Sequence, residues 1–280
     1  MTAPTVLRRA KALIIAGHPV SVLALTTLTT ALAALAAPAG AGPPLLTAPA
    51  VLAGQLSACW SNDAADAPRD AAARRTDKPI ATGAISVRAV WIAAVAALLG
   101  ALAMSLAIGV STAMILAVII GANWAYNLGL KSTPADGLSA AVVFGLLPAY
   151  AASTLPGHPM PTWYATAAAA LLGVGAHYAT VLPDLAADRA TGVNGLLQLS
   201  AARWGVGTAR GVVLVLLVSS SSVLLLLASS RPWIALAGLG ATIPLAVVAA
   251  HGTGRVPLWA VIGIGVVDTL VFGIGGYALT

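Results

Sequence analysis

Residues 61–83 read SNDAADAPRDAAARRTDKPIATG, a polar island in a chain of 280 residues that is 59% hydrophobic and only 8% charged. Four of the eight acidic side chains fall in it, Asp63, Asp66, Asp70 and Asp77, beside Arg69, Arg74, Arg75 and Lys78. A second polar stretch, PDLAADRATGV at residues 183–193, holds Asp184, Asp188 and Arg189. The chain contains no Glu. A loop that merely kept the surface wet would use Glu as readily as Asp, so solvated loops are the weaker account. The two stretches also share one spacing, Asp66/Asp70 and Asp184/Asp188.

The surroundings of the island decide the fold. Soluble domains carry about 25% charged residues, so most of this surface meets something other than water. Apolar runs near the length that crosses a ~30 Å hydrocarbon core as helix recur throughout. They cover residues 13–36, 45–60, 85–107, 109–128, 138–153, 163–182, 206–227, 232–250 and 258–279, with Pro- and Gly-rich turns between most of them. The expectation is an all-α polytopic membrane protein of nine transmembrane helices, one domain over residues 1–280. Arg8, Arg9 and Lys11 before the first run, and APAGAGPP after it, imitate a secretory signal. The run is too long for the apolar core of one, about 7 to 15 residues, and reads as the first crossing. The weakest boundary is at Ile108-Gly109; a single re-entrant segment there would reduce the count to eight.

The net charge of +6 does not point to nucleic acid, because the basic residues are scattered between apolar runs. They obey the positive-inside rule instead. Placing the N-terminus and alternate loops on one side gathers thirteen of the fourteen basic residues there, with only Arg231 opposite. This predicts a cytoplasmic N-terminus, an external C-terminus and both aspartate stretches on the cytoplasmic face, in the inner or plasma membrane of a prokaryote. The single cysteine, Cys59, has no partner for a disulfide or a metal pair. Nothing in the sequence calls for an obligate protein partner.

Carboxylates four apart on a helix share a face, so Asn62, Asp66 and Asp70 align if the segment stays helical. Grouped carboxylates repel unless cations intervene. Oxygen donors without His or Cys suit hard ions such as Mg²⁺, commonly held by one or two carboxylates plus substrate phosphates. Arg74, Arg75, Lys78 and Arg189 supply donors for phosphate oxygens. A diphosphate site at the end of apolar helices implies a lipid-soluble tail, and prenyl diphosphates have that shape. Pro68 lies between Asp66 and Asp70 and removes a backbone hydrogen bond; either the helix bends there or a new one begins near Ala67.

At these residues the sequence resembles the UbiA superfamily of intramembrane prenyltransferases. Asn62-Asp63-x-x-Asp66-x-x-x-Asp70 matches its first aspartate-rich motif, followed by Arg75, Asp77-Lys78-Pro79 and Gly83. Asp184-x-x-x-Asp188-Arg189-x-x-Gly192 matches the second, and Tyr126-Asn127-x-x-x-Lys131 its Tyr and Lys loop. The resemblance implies a cytoplasmic cap over a central apolar cavity and Mg²⁺-dependent transfer of an isoprenyl chain from a prenyl diphosphate to a small lipophilic or aromatic acceptor, such as a quinone precursor. Asn62, Asp66, Asp70, Asp184 and Asp188 would be metal ligands, the four aspartates also catalytic. Asn62, Asp63, Arg75, Lys78, Asn123, Tyr126, Lys131 and Arg189 would contact substrate. After Gly192 many members carry Lys and then Ser or Thr; Val193-Asn194-Gly195 stands here instead.

Some residues keep two readings. Asp268, in the last apolar run, is a substrate contact or a buried hydrogen bond; Asn123 and Asn127 touch the acceptor or bond between helices. His177 and Tyr178 line the cavity or pack, and His18 approaches the cytoplasmic mouth or packs. A terpene cyclase using the same ionisation and, from another class, an ion-coupled transporter or lipid flippase are the rivals. Transporters place ionisable residues at the bilayer midplane, whereas six of the eight aspartates here lie in the two motif stretches.

Overall fold

A computed structural model describes residues 3–37, 42–190, 192–228 and 231–275. They form helices and connecting turns, with no strand among the described residues, as the apolar runs predict. The chain divides into two compact units, Met1–Thr27 with Pro44–Leu128, and Leu28–Pro43 with Gly129–Thr280.

In the first unit α1 (Ala3–Ala16) is separated from α2 (Pro19–Ala36) by Gly17 and His18. The single crossing expected over residues 13–36 is therefore two helices. Proline disfavours helical geometry in the residue before it, and His18 takes a φ of 47°. Pro19 then opens α2, where its missing N–H removes no helical bond. Three longer helices, α3 (Thr47–Ala72), α4 (Val87–Ile108) and α5 (Val110–Leu128), pack on one another. Gly54 of α3 admits Leu116 and Ile120 of α5, and Trp124 Nε1 donates to Ser57 Oγ at 3.1 Å. Small residues let helices approach closely where lipid supplies no hydrophobic drive between them. Trp91 of α4 meets Trp124 edge to face with ring centres 5.6 Å apart. Ala12, Ala64, Ile85 and Val90 form a buried cluster, reinforced by a hydrogen bond of 3.0 Å from Trp60 Nε1 to the Leu13 carbonyl. The doubtful boundary at Gly109 is a genuine break, since α4 and α5 are separate helices.

The second unit takes up α2 from Leu28 onward and contains α6 (Asp136–Gly145), α7 (Leu147–Ser153), α8 (Trp163–Val181), α9 (Leu185–Ala190), α10 (Leu196–Trp204), α11 (Val206–Ala228), α12 (Pro232–His251) and α13 (Val256–Gly275). The run at residues 138–153 is interrupted at Leu146, where Pro148 cannot continue the hydrogen-bond ladder. Tyr178, Leu197, Val213, Leu217 and Ile264 belong to the main core of this unit.

Among the described residues, eight helical spans are long and apolar enough to cross a membrane. They correspond to eight of the nine predicted runs. The remaining run, residues 45–60, lies in α3, where Gln55, Asn62 and the aspartates dilute the apolar length.

Candidate functional site

Three of the four aspartates of the first stretch, Asp63, Asp66 and Asp70, lie on one buried face of a helix. α3 runs 26 residues without interruption and carries Pro68 inside it. No new helix begins at Ala67, and Pro68 occupies the exposed side while Asp63, Asp66, Ala67 and Asp70 are buried. Asp70, 5% exposed, thus shares a face with Asp66, 9% exposed. Asn62 beside them is half-buried.

The neighbours differ for each carboxylate. Asp63 Oδ1 accepts from Lys78 Nζ at 2.7 Å and lies 3.0 Å from His18 Nε2. Burial pushes its carboxyl up, but the hydrogen bonds and charges of His18 and Lys78 outweigh burial and hold it below the usual carboxylate range. Asp66 Oδ2 accepts from Arg69 Nη2 at 3.1 Å. Asp70 is raised, chiefly by burial; Lys78 and Arg75 oppose the rise, and the like charges of Asp66 and Asp63 add to it. Such a group gains from a nearby cation. Arg75 forms a two-point pair with Asp77, Nε to Oδ1 at 2.8 Å and Nη2 to Oδ2 at 2.7 Å. That contact, against a small effect of burial, lowers the Asp77 carboxyl to about 2. Within the first unit, Lys78 and Asp63 are therefore engaged with each other, and Arg75 is an exposed guanidinium held in a fixed orientation.

The remaining first-unit candidates lie at the end of α5. Asn127 Nδ2 donates to the Ala58 carbonyl and to Ser61 Oγ, both at 2.8 Å, which is the interhelical reading of that residue. Asn123 Nδ2 donates within its own helix to the Ile119 carbonyl at 3.2 Å. Tyr126 is half-buried. An open pocket of about 580 Å³ lies beside α3, bounded by Ala64, Ala67, Pro68, Trp91 and Asn127, and no acidic residue lines it.

In the second unit Lys131 is half-buried in a short turn, Leu130–Ser132. Asp184 closes another turn, Leu182–Asp184, and Asp188 follows on α9. Asp184 and Arg189 are exposed; Asp188 is half-buried and accepts from Gln198 Nε2 at 3.0 Å. Gly192 takes a φ of 82°, a left-handed conformation that a side chain would strain. It turns the chain so that the Val193 N–H bonds the Asp188 carbonyl at 2.9 Å. The departure Val193-Asn194-Gly195 acquires a purpose here. A Cβ on Gly195 would collide with the Asp136 carboxylate and with Gln198 Oε1.

Asp136 is the residue that sequence reasoning passed over. It is 2% exposed, and its carboxylate collects the Leu196 N–H, Tyr178 Oη and His177 Nε2. The sequence held one signal for it, a lone acid opening an otherwise apolar run. Asp268 is paired too: Ser221 Oγ donates to its Oδ2 at 2.9 Å.

Among the described residues no three His, Cys, Asp or Glu side chains lie close enough to hold a metal. Each stretch offers a pair of carboxylates instead. All-oxygen donors two at a time suit a hard cation whose other ligands come from a bound phosphate, and do not suit a protein-only cage.

The comparisons agree with this architecture. The model of the UbiA prenyltransferase family matches residues 23–256. No curated protein sequence matches the chain. A UbiA homologue from Archaeoglobus fulgidus, solved bound to GPP and Mg²⁺, superposes with a TM-score of 0.68 at 16% identity, covering 95% of this chain and 98% of that one. A digeranylgeranylglyceryl phosphate synthase gives 0.69 at 15% identity over 95% and 98%, and an apo UbiA homologue from Aeropyrum pernix K1 gives 0.67 at 19% over 90% and 96%. At such identities the structures establish a shared fold. With eight apolar helices of membrane length among the described residues and a family model matched over most of its sequence, the chain is an integral membrane protein that belongs to the UbiA prenyltransferase family.

Proposed function

We propose that the protein transfers an isoprenyl chain from a prenyl diphosphate to a small lipophilic or aromatic acceptor within the membrane, with Mg²⁺ as its cofactor. The observation that carries the reading is the buried Asp66/Asp70 face of α3, a pair of like charges that favours a cation, in a member of this family. Relatives solved with GPP or DMAPP and Mg²⁺ support the substrate class. Asn62, Asp66 and Asp70 on α3 would hold Mg²⁺, as would Asp184 and Asp188 in the second aspartate stretch. Bound there, the metal would neutralise charge on the diphosphate and so ease its departure.

The side chains have separate tasks. Arg75, oriented by Asp77, and the exposed Arg189 bind phosphate oxygens, with Lys131 a further cationic contact. Lys78 acts through Asp63, keeping a buried carboxylate neutralised on the motif helix. Heterolysis of the carbon–oxygen bond leaves its electron pair on diphosphate and an allylic cation on the isoprenyl chain. The acceptor then supplies the electron pair of the new bond and loses a proton. Apolar walls keep water from intercepting the cation. The basic-residue asymmetry supports a cytoplasmic entrance for the diphosphate in a prokaryotic inner membrane.

The test is to incubate the full-length protein in lipid nanodiscs with labelled prenyl diphosphates of several lengths, with and without aromatic acceptors. Magnesium-dependent prenylated products that disappear in Asp184→Ala are expected. Hydrocarbon products formed without any acceptor would transfer the assignment to a cyclase. Absence of prenyl diphosphate binding, with Asp66→Ala behaving as wild type, would reject this chemistry in favour of transport.

A further inference from the structure

Asp136 and α10 lie outside both aspartate motifs, yet Asp136 bonds α10 and α10 bonds the second motif. Asp136 Oδ1 accepts the Leu196 N–H at 3.0 Å, in the first turn of α10, where a helix leaves its N–H groups without internal partners. Tyr178 Oη stands 3.5 Å from the same oxygen, and His177 Nε2 stands 3.4 Å from Oδ2. The start of α10 is therefore anchored to a buried carboxylate that α8 also grips.

In the same first turn of α10, Gln198 Nε2 donates to Asp188 Oδ2 at 3.0 Å. Gln198 is 2% exposed, and its Oε1 has no hydrogen-bond partner among the described residues. A buried amide with an orphaned acceptor is a poor choice for stability. A leucine would fill similar space without that cost, so packing does not account for the residue. The contact with Asp188 does. Gly195 completes the arrangement, since any side chain there would displace both the Asp136 carboxylate and the Gln198 amide.

We infer that α10 is a positioning device for the second aspartate pair: Asp136 anchors its first turn, and Gln198 orients the Asp188 carboxylate toward the metal-bound diphosphate. The inference rests on the proposed function. Hydrogen bonds from outside the ligand set commonly fix ligating carboxylates, and their loss weakens metal binding by roughly 10- to 100-fold.

The experiment uses the detergent-purified full chain and follows Mn²⁺ binding by electron paramagnetic resonance, with a non-ionisable thio analogue of a prenyl diphosphate present. Wild type is expected to bind Mn²⁺. Gln198→Leu is expected to bind it roughly tenfold more weakly, while its melting temperature stays level or rises. Gln198→Asn, one methylene too short to reach Asp188, should weaken Mn²⁺ similarly and gives the same reading if the leucine variant does not fold. Asp136→Asn, which retains an acceptor for Leu196, should lie between wild type and Asp136→Leu. Wild-type Mn²⁺ affinity in the folded Gln198 variants overturns this inference alone. A wild-type protein that binds neither Mn²⁺ nor the analogue overturns the proposed function, and the inference with it.

Discussion

Lys78 Nζ lies 2.7 Å from Asp63 Oδ1, and the carboxylate it neutralises is 2% exposed. His18, at the break between α1 and α2, reaches the same oxygen at 3.0 Å. One buried charge thus ties the N-terminal helices and the loop after α3 to the motif helix. Removing Lys78 leaves the buried carboxylate with His18 alone, and the loss of one partner of a buried pair costs about 3 kcal/mol. Lys78→Met is expected to lose roughly that much stability, and Asp63→Asn combined with Lys78→Met to recover most of it. Thermal unfolding in detergent measures both. A double variant no more stable than the single one would sever the link between these residues.

Pro68 sits inside α3 without ending it. Its ring supplies no N–H to the helix, and its side faces away from Asp66 and Asp70. Pro68→Ala should restore one helical bond and raise stability by about 1–3 kcal/mol. The metal dependence of activity should stay as in wild type, because the buried carboxylate face is already continuous. A large change in the Mg²⁺ concentration for half-maximal activity would show that the proline shapes that face.

The legible parts of the fold were those set by local chemistry. Run length marked nine crossings, eight of which match membrane-length helices among the described residues, and composition isolated the two aspartate stretches, since charge is scarce elsewhere. The break at His18 was present in Gly17-His18-Pro19 but was hidden by the apolar residues on either side. Asp136 escaped because a lone acid before an apolar run has no spacing to identify it; its partners Tyr178 and Leu196 are more than 40 residues away in sequence. α10 escaped because LLQLSAARW is too short to show a helical period. Pairings such as Lys78 with Asp63 depend on how distant segments pack, and no periodicity encodes them.

Gly173 of α8 faces Phe144 and the Ala140 carbonyl of α6 so closely that a Cβ would overlap both. The backbone carbonyl cannot move aside as a flexible side chain would. Gly173→Ala is expected to destabilise the protein by about 1–3 kcal/mol, the usual cost of overpacking a close contact. Gly100, whose Cβ would meet nothing, is the control. Gly100→Ala should unfold at or above the wild-type temperature, since alanine favours helix by about 1 kcal/mol. Equal melting temperatures for the two variants would contradict the packing described between α6 and α8.

Ser221 Oγ donates to Asp268 Oδ2 at 2.9 Å, while Asp268 Oδ1 has no partner among the described residues. Both side chains are buried, at 0% and 5% exposure. Ser221→Ala would leave the carboxyl group without its hydroxyl donor, at a cost of about 1–3 kcal/mol. Asp268→Asn keeps an oxygen that can accept from Ser221 and should be far milder. If the pair serves packing between α11 and α13, Ser221→Ala lowers the unfolding temperature and leaves the KM for prenyl diphosphate unchanged. A raised KM in a variant of wild-type stability would instead assign Asp268 to substrate, and measuring the two quantities on the same purified sample separates these outcomes.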